Sequence, residues 1–291
     1  MELTEPTAWS DDRLELGEGA RWVDDRLVLV DLLAGRLLTT DAARPAPLAE
    51  LLRLDVPLGA VAPVAGRPGE WLAAAGTGVV RLTADGGRRP VADLEGGRSE
   101  PARMNDGAAD PRGRFWAGSM TYAGVPGGGS LYRMDPGAAP VPVVTGLTIA
   151  NGPAFDGAGA TLYLADTPRG HVDRFTVDPA TGALGGRAPF LRLDPAEGAP
   201  DGMTVDAEDH LWVALWGGAA VRRYRPDGTL DREVRLPAAQ PTSVCLGGPG
   251  LRRLFVTTAR YGLADPGPLD GALLAVDVPV AGRPAAPVAA G

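Results

Sequence analysis

The chain has 291 residues, of which 45% are hydrophobic and 22% are charged, and its formal net charge at pH 7 is −8. Because a nucleic-acid-binding domain usually carries a basic face, this acidic balance argues against a nucleic-acid partner. No apolar run reaches the roughly 18 residues that a membrane-spanning helix needs, and the first residues carry no apolar signal segment. We therefore expect a cytoplasmic protein that has no membrane partner.

The rare residue types exclude several kinds of chemistry. Cys245 is the only cysteine and lysine does not occur, which excludes an intrachain disulfide, a cysteine-rich metal site, a P-loop and a Schiff base on lysine. The two histidines, His171 and His210, lie far apart, and Ser119 is not part of a Gly-x-Ser-x-Gly motif. We expect Cys245 and both histidines to be structural. If the protein is an enzyme, its chemistry must come from carboxylates, amides and arginine, with tyrosine and a metal ion as further candidates.

Six similar segments follow one another along the chain, each with two short β-rich runs around a turn. In chain order the paired runs are 26–30 and 35–39, 70–75 and 78–83, 114–118 and 129–134, 161–166 and 171–177, 210–215 and 219–225, and 253–258 and 271–276. The segments start every 43 to 49 residues, which is typical of propeller blades with four strands each. Turn dipeptides such as Asp85-Gly86 and Asp227-Gly228 separate the runs.

The repeats predict an all-β fold, a six-bladed β-propeller with four-stranded blades, that forms one domain over residues 1–291. Two all-β sandwiches are the alternative, but a period that continues through the whole chain favours the propeller. The last segment, about 280–291, is rich in alanine, proline and glycine. This composition predicts a loose tail.

Polar residues recur at one phase of the repeat, about ten to twelve residues before the strongest strand of a blade. At this phase the six blades carry, in chain order, Glu18, Gly59 with Ala60, Asn105, Asn151, Asp201, and Thr242 with Ser243. Equivalent positions of a propeller surround one axis, so we expect the polar side chains to converge at one end of the channel. Two carboxylates and one or two amide oxygens suit Ca²⁺, Mg²⁺ or Mn²⁺, and they can also bind Zn²⁺ or Fe²⁺. One such residue beside glycine is commonly only a turn, but four at the same phase favour a metal site.

Several local sequences are distinctive. They are Arg103-Met-Asn-Asp-Gly107, Asp110-Pro-Arg-Gly-Arg114, Pro200-Asp-Gly-Met203, Asp206-Ala-Glu-Asp-His-Leu-Trp-Val-Ala214 and Leu254-Phe-Val-Thr-Thr-Ala-Arg260. With these stretches the chain resembles the regucalcin/gluconolactonase family, also called the senescence-marker-protein family, over essentially its whole length. The resemblance implies a six-bladed propeller with one divalent metal ion and sugar-lactone hydrolase activity.

By position, the resemblance implies that Glu18, Asn151 and Asp201 are the metal ligands and that Arg103 and Asn105 contact substrate. Asp201 is also the candidate general base, because a carboxylate beside the metal can accept a proton from water. Asp106 is expected either to brace the Asn105 loop or to act only as an ordinary turn residue.

One departure from the family concerns an acidic substrate contact. Regucalcin-like members carry a glutamate shortly after the first strand of the third blade, where this chain reads Met120-Thr-Tyr-Ala-Gly124. We expect Tyr122 to bind substrate there, as an aromatic wall or a hydroxyl donor. Packing of Tyr122 on the rim is the alternative.

The leading functional prediction is a divalent-metal-dependent hydrolase that opens a sugar lactone, with a metal-polarised carbonyl and Asp201 as general base. The expected cofactor is one ion of Ca, Zn, Mn, Mg or Fe(II). The expected partner is a small sugar lactone, and the protein is expected to be a monomer or a weak homo-oligomer. Two alternatives are a phosphotriesterase- or arylesterase-type propeller hydrolase and a non-catalytic calcium-binding propeller. The non-catalytic calcium-binding propeller would not need the pair Arg103 and Asn105.

Overall fold

A computed structural model describes residues 5–41 and 43–290 of the chain. Within these residues it contains 24 strands and three short 3₁₀ turns, Thr167–Arg169, Pro195–Glu197 and Pro249–Leu251. No helix in the described part of the chain is long and apolar enough to cross a membrane. The strands are β1 (Thr7–Ala8), β2 (Gly17–Val23), β3 (Arg26–Asp31), β4 (Arg36–Thr40), β5 (Ala49–Arg53), β6 (Leu58–Pro63), β7 (Trp71–Ala75), β8 (Gly78–Leu82), β9 (Arg88–Asp93), β10 (Ala102–Ala109), β11 (Phe115–Thr121), β12 (Gly129–Met134), β13 (Val141–Leu147), β14 (Ala150–Phe155), β15 (Thr161–Asp166), β16 (His171–Val177), β17 (Leu184–Arg192), β18 (Ala199–Val205), β19 (Leu211–Trp216), β20 (Ala220–Tyr224), β21 (Leu230–Arg235), β22 (Pro241–Gly247), β23 (Arg253–Thr258) and β24 (Leu274–Asp277).

These strands form six four-stranded antiparallel sheets. Blades 1 to 5 each contain four consecutive strands, β2–β5, β6–β9, β10–β13, β14–β17 and β18–β21. Blade 6 has the order β1-β24-β23-β22, so the N-terminal strand completes the sheet that the C-terminal strands begin. The predicted fold class, an all-β six-bladed β-propeller with four-stranded blades, is confirmed. The six segments recognised in the sequence are the second and third strands of the blades, or in blade 6 β23 and β24.

The chain divides into two compact units. One contains the described residues of Met1–Asp55 and Leu193–Pro284, which include blades 1, 5 and 6. The other contains those of Val56–Arg192 and Ala285–Gly291, which include blades 2, 3 and 4. A single domain over residues 1–291 stays a prediction.

Position within a blade determines the composition of a strand. The second strand β3 reads Arg-Leu-Val-Leu-Val-Asp and is buried except at Arg26, as expected for an apolar run between two covered faces. The outer strands β5 and β9 are mostly exposed. Proline occurs in three outer strands, as Pro90, Pro142 and Pro189. Because proline has no N–H to donate, it discourages the pairing of an edge strand with another chain.

Tryptophans fill the space between neighbouring blades. Trp116 of blade 3 packs with Leu162 and Phe175 of blade 4. Its indole Nε1–H donates to the buried carboxylate of Asp110 at 3.0 Å. Asp110 Oδ1 also accepts from the N–H groups of the following turn. The same arrangement joins Trp212 to Asp206 in blade 5, so these aspartates organise turns.

The C-terminal segment is not a loose tail in its described part. Val288 is 4% exposed and forms a parallel bridge with Val64. Its N–H donates to Pro63 O at 2.8 Å, and its carbonyl accepts from Ala65 N–H at 2.9 Å. The sequence-based prediction was wrong because composition does not show that one valine of the segment fills an apolar site beside blade 2. Gly291, at the end of the predicted tail, lies outside the described residues.

Candidate functional site

A one-residue β-bulge interrupts the first strand of every blade. The register shifts lie between Glu18 and Arg21, Leu58 and Ala60, Met104 and Gly107, Asn151 and Ala154, Pro200 and Met203, and Pro241 and Ser243. A bulge bends its strand and changes the direction of the side chains beside it. The positions that the sequence placed at one phase of the repeat therefore share one local structure.

Two candidate ligands, Glu18 and Asp201, lie in the unit that contains blades 1, 5 and 6. Both carboxylates are buried, at 5% and 3% exposure. Glu18 Oε2 accepts from the N–H of Gly19 at 3.1 Å, and Gly19 has a φ of +56°, which glycine adopts without strain. Strand β22 packs against both β2 and β18, the strands that carry these acids. Ser243 on β22 contributes an Oγ that accepts from Ala20 N–H at 3.2 Å, within the Glu18 bulge.

The unit that contains blades 2, 3 and 4 holds Arg103, Asn105 and Asn151, all buried. Arg103 Nη1 donates to Asn105 Oδ1 at 2.7 Å and to the carbonyl of Met104 at 3.0 Å. Asn105 Nδ2 donates to Asn151 Oδ1 at 2.9 Å. The structure thus links the candidate substrate-binding pair, through Asn105, to a candidate metal ligand.

The directions of these hydrogen bonds are fixed by chemistry. A guanidinium can only donate, so the Asn105 atom that it contacts must be oxygen. The Asn105 Nδ2 also donates to the carbonyl of Ala150 at 3.1 Å, and a carbonyl can only accept. The Asn151 atom that faces Asn105 must therefore be Oδ1, while its Nδ2 donates to Thr167 Oγ1 at 3.0 Å. One lone pair of Asn151 Oδ1 accepts from Asn105, and the second can bind a cation.

Asp106 braces the neighbouring bulge as well as its own. Its Oδ1 accepts from Gly107 N–H at 2.7 Å, and its Oδ2 accepts from Gly152 N–H at 3.0 Å. Gly152 directly follows Asn151 and has a φ of +52°. Of the two roles considered for this buried aspartate, the structure therefore shows the bracing one.

Two further aspartates accept hydrogen bonds from backbone N–H groups just before a bulge-bearing strand begins. The sequence did not single them out. Asp166 accepts from the N–H groups of Thr148 and Ile149, at 3.0 to 3.2 Å. Asp31 Oδ1 accepts from Leu16 N–H at 3.1 Å in blade 1. Both aspartates end the second strand of their blade, and this shared position was the signal available in the sequence.

Tyr122 follows β11, the second strand of blade 3 and not the first. Its side chain is 55% exposed, and the guanidinium carbon of Arg103 lies 6.0 Å from the centre of its ring. This distance is at the limit for a cation–π contact. Tyr122 is therefore exposed to solvent beside Arg103.

The candidate donor set is compatible with a divalent ion. In the residues that the structure describes, no group of three or more His, Cys, Asp or Glu side chains could hold a metal. The predicted set differs from such a group because it contains only two acids, Glu18 and Asp201, together with the amide oxygen of Asn151. All three are buried, and hard oxygen donors of this kind suit Ca²⁺, Mg²⁺ and Mn²⁺.

Comparison with known proteins assigns the chain to a family. Residues 16–260 match the model of the SMP-30/gluconolactonase/LRE-like region. The chain belongs to the SMP-30/gluconolactonase/LRE-like family. This assignment confirms the resemblance seen in the sequence, and the matched residues include every candidate site residue.

Relatives within the SMP-30/gluconolactonase/LRE-like family include named lactonases. Pentonolactonase XacC of Haloferax volcanii is 38% identical over 226 residues, which cover 75% of this chain and 76% of that protein. The 6-deoxy-6-sulfogluconolactonase of Pseudomonas putida is 34% identical over 260 residues, which cover 87% of each. A solved structure of the calcium-binding protein regucalcin from Agrobacterium tumefaciens superimposes with a TM-score of 0.90 at 27% identity, covering 98% of this chain and 97% of that one.

Proposed function

We propose that this protein is a lactonase that uses one divalent metal ion to hydrolyse the ring ester of a sugar lactone. The observation that carries the proposal is the set of buried carboxylates and amides at equivalent bulges, in a chain that belongs to the SMP-30/gluconolactonase/LRE-like family. The pentonolactonase and 6-deoxy-6-sulfogluconolactonase relatives support a sugar lactone as the substrate class.

In this proposal Glu18, Asn151 and Asp201 hold the ion, which is Ca, Zn, Mn, Mg or Fe(II). Once bound, such an ion polarises the lactone carbonyl and stabilises the oxyanion that develops there. Both carboxylates are buried beside bulges of the same kind, and their oxygens are hard donors that suit such an ion, which supports the assignment. The fixed orientation of Asn151 supports it further, since the amide offers its oxygen and not its nitrogen.

Asp201 is proposed as the general base. Its carboxylate accepts a proton from water while the water oxygen forms a bond to the carbonyl carbon. The bond between that carbon and the ring oxygen then breaks, and Asp201 returns the proton to the departing oxygen. The product is the open-chain hydroxy acid, so one water molecule is consumed and no other reactant is needed.

The other candidate residues position the sugar. Arg103 offers a planar set of donors to hydroxyl groups or to the ring oxygen, and Asn105 can both donate and accept. The exposed face of Tyr122 packs against the sugar ring beside Arg103. A cytoplasmic location and a monomeric or weakly homo-oligomeric state stay predictions.

Hydrolysis of a lactone panel tests the proposal directly. Chelator-stripped protein would be assayed with a pH indicator on five- and six-membered sugar lactones and on paraoxon, with Ca²⁺, Mg²⁺, Mn²⁺, Zn²⁺ or Fe²⁺ added back. We expect turnover of at least one sugar lactone that disappears on stripping and returns with metal. Turnover of paraoxon alone would support the phosphotriesterase alternative, and metal binding without turnover would support the calcium-binding alternative.

Replacement of Asp201 tests the proposed base. Asp201→Asn removes the proton acceptor and one charged ligand, so kcat is expected to fall by about 10²- to 10⁴-fold, and metal affinity is expected to fall as well. The matched control is Asp227→Asn in an exposed turn of the same blade, which should behave like the unmodified protein. Full activity and full metal affinity in Asp201→Asn would rule out this role.

A further inference from the structure

Thr167 takes no part in the proposed reaction, yet it contacts a proposed metal ligand directly. Its Oγ1 accepts from Asn151 Nδ2 at 3.0 Å. Thr167 begins the 3₁₀ turn that follows β15, and Gly170 N–H donates to its carbonyl at 3.0 Å. Its own N–H donates to Ile149 O at 3.3 Å, two residues before Asn151. The backbone therefore holds the hydroxyl next to the amide that it contacts.

An asparagine amide can exchange its oxygen and nitrogen by a half-turn about its terminal torsion. In Asn151 the two positions have different partners, Asn105 on one side and Thr167 on the other. The Asn105 side requires an acceptor, because Asn105 presents an N–H there. The Thr167 side satisfies the amide nitrogen, whose burial without an acceptor would cost free energy. Asn105 therefore sets the orientation, and the Thr167 hydroxyl, which can donate or accept, anchors the side chain in it by accepting from the amide nitrogen.

We propose that Thr167 is a positioning residue for the metal site: it anchors the nitrogen of the Asn151 amide and so holds Oδ1 in place as a ligand. The inference rests on the proposed function, because it concerns a ligand of the proposed ion. It extends a directional chain of four side chains, from Arg103 through Asn105 and Asn151 to Thr167. Residues that orient a metal ligand in this way influence metal affinity without contacting the ion.

Two substitutions at this position separate the hydroxyl from the shape of the side chain. Thr167→Val keeps the branched shape and removes the acceptor, whereas Thr167→Ser keeps the acceptor. The matched control is Thr176→Val, which makes the same change at an exposed position on β16 of the same blade. Titration of the chelator-stripped full chain with Mn²⁺ in a calorimeter gives the metal Kd for each variant.

We expect Thr167→Val to bind Mn²⁺ about 10- to 100-fold more weakly, the usual cost of losing a partner of a metal ligand. Thr167→Ser should bind within about threefold of the unmodified protein, because its hydroxyl can still accept. Thr176→Val should bind like the unmodified protein. The kcat/KM of Thr167→Val on a sugar lactone should recover at saturating Mn²⁺, as expected for a defect in metal binding.

A metal-free measurement checks the hydrogen bond between Asn151 and Thr167 itself. The Asn151 side-chain amide signal, identified by its loss in Asn151→Asp, should show slow hydrogen exchange in the unmodified protein and in Thr167→Ser, and faster exchange in Thr167→Val. Unchanged exchange and an unchanged Kd in Thr167→Val, with Mn²⁺ binding intact in the unmodified protein, would overturn this inference alone. An unmodified protein that neither binds a divalent ion nor hydrolyses a lactone would overturn the proposed function and this role together.

Discussion

Single polar side chains complete the backbone hydrogen bonding at the bulges. A bulge removes a residue from the strand ladder, and its N–H then needs another acceptor. Gly152 N–H donates to Asp106 of the preceding blade, and Ala20 N–H donates to Ser243 of the preceding blade in its unit. The polar residues at this phase therefore support the fold as well as the candidate site, and a loss of stability must be separated from a loss of chemistry in any variant.

Cys245 provides a prediction about reactivity. Burial disfavours its thiolate and raises the pKa of the thiol from 9.0 to about 12. At pH 8 the thiolate fraction then falls from about one in ten to about one in ten thousand, and the thiolate is the form that attacks a disulfide reagent. We expect almost no reaction of the native protein with Ellman's reagent at pH 8, and one thiol per chain in guanidinium. Complete labelling of the native protein within minutes would show that Cys245 is accessible.

The elements of the fold differ in how clearly the sequence predicts them. Second strands such as β3 and β15 are short apolar runs that turn residues follow. The repeat could therefore be recognised in the sequence from these strands. First strands such as β10, with Arg-Met-Asn-Asp-Gly at its centre, carry a polar bulge and lack the alternation of an ordinary strand. The candidate site residues could nevertheless be picked out, because Glu18 and Asp201 have a similar spacing to the second strands; their role as a site stays a prediction.

The supporting residues could not be predicted in the same way. Thr167 meets Asn151 only because the turn after β15 folds back beside β14, and this contact depends on strand register. Spacing to the next strand does not report such a contact. The burial of Val288 was missed for a related reason, since its partner Val64 is distant in sequence.

The position of Gly59 shows how closely two neighbouring first strands, β6 and β10, approach each other. It lies in the β6 bulge, and a Cβ added there would lie 2.0 Å from Asn105 O and 2.8 Å from its carbonyl carbon. Neither backbone atom can move without shifting Asn105. We expect Gly59→Ala to lower the free energy of unfolding by about 1–3 kcal/mol and to lower lactonase activity, as measured by urea denaturation and by the lactone assay.

The control for this variant is Gly267→Ala, at a position without a positive φ where an added Cβ comes no closer than 3.4 Å, to a carboxylate oxygen of Asp270. Its stability and activity should change little, because that contact is of ordinary van der Waals length. Equal stability and activity of the two alanine variants would contradict the close approach of β6 to β10.

At the scale of the whole molecule, residues distant in sequence complete each of the two units. One unit combines the N-terminal residues with 193–284, and the other receives the segment from 285 onward. In the second unit Val288 packs with Val64, Leu72 and Phe115 in one apolar cluster. The C-terminal segment is therefore part of the core of that unit.

Truncation of Val288 tests whether the C-terminal segment contributes to the core of its unit. Val288→Ala removes two buried methyl groups and is expected to lower the free energy of unfolding by about 1–3 kcal/mol. Val141→Ala, the same change at an exposed site on the outer strand β13, should cost less than about 0.5 kcal/mol. Urea denaturation of the two variants measures both values, and similar stabilities would mean that the segment contributes little to the core.

The pairing of β1 with β24 also has a consequence for synthesis on the ribosome. Blades 1 to 5 are built from consecutive strands, so each sheet can pair soon after its own residues leave the exit tunnel. Thr7 and Ala8, in contrast, must wait for Ala275 and Leu274, which are translated after all the strands of blades 1 to 5. A nascent chain therefore keeps β1 unpaired while blades 1 to 5 are made, and blade 6 can close only after β24 has left the exit tunnel.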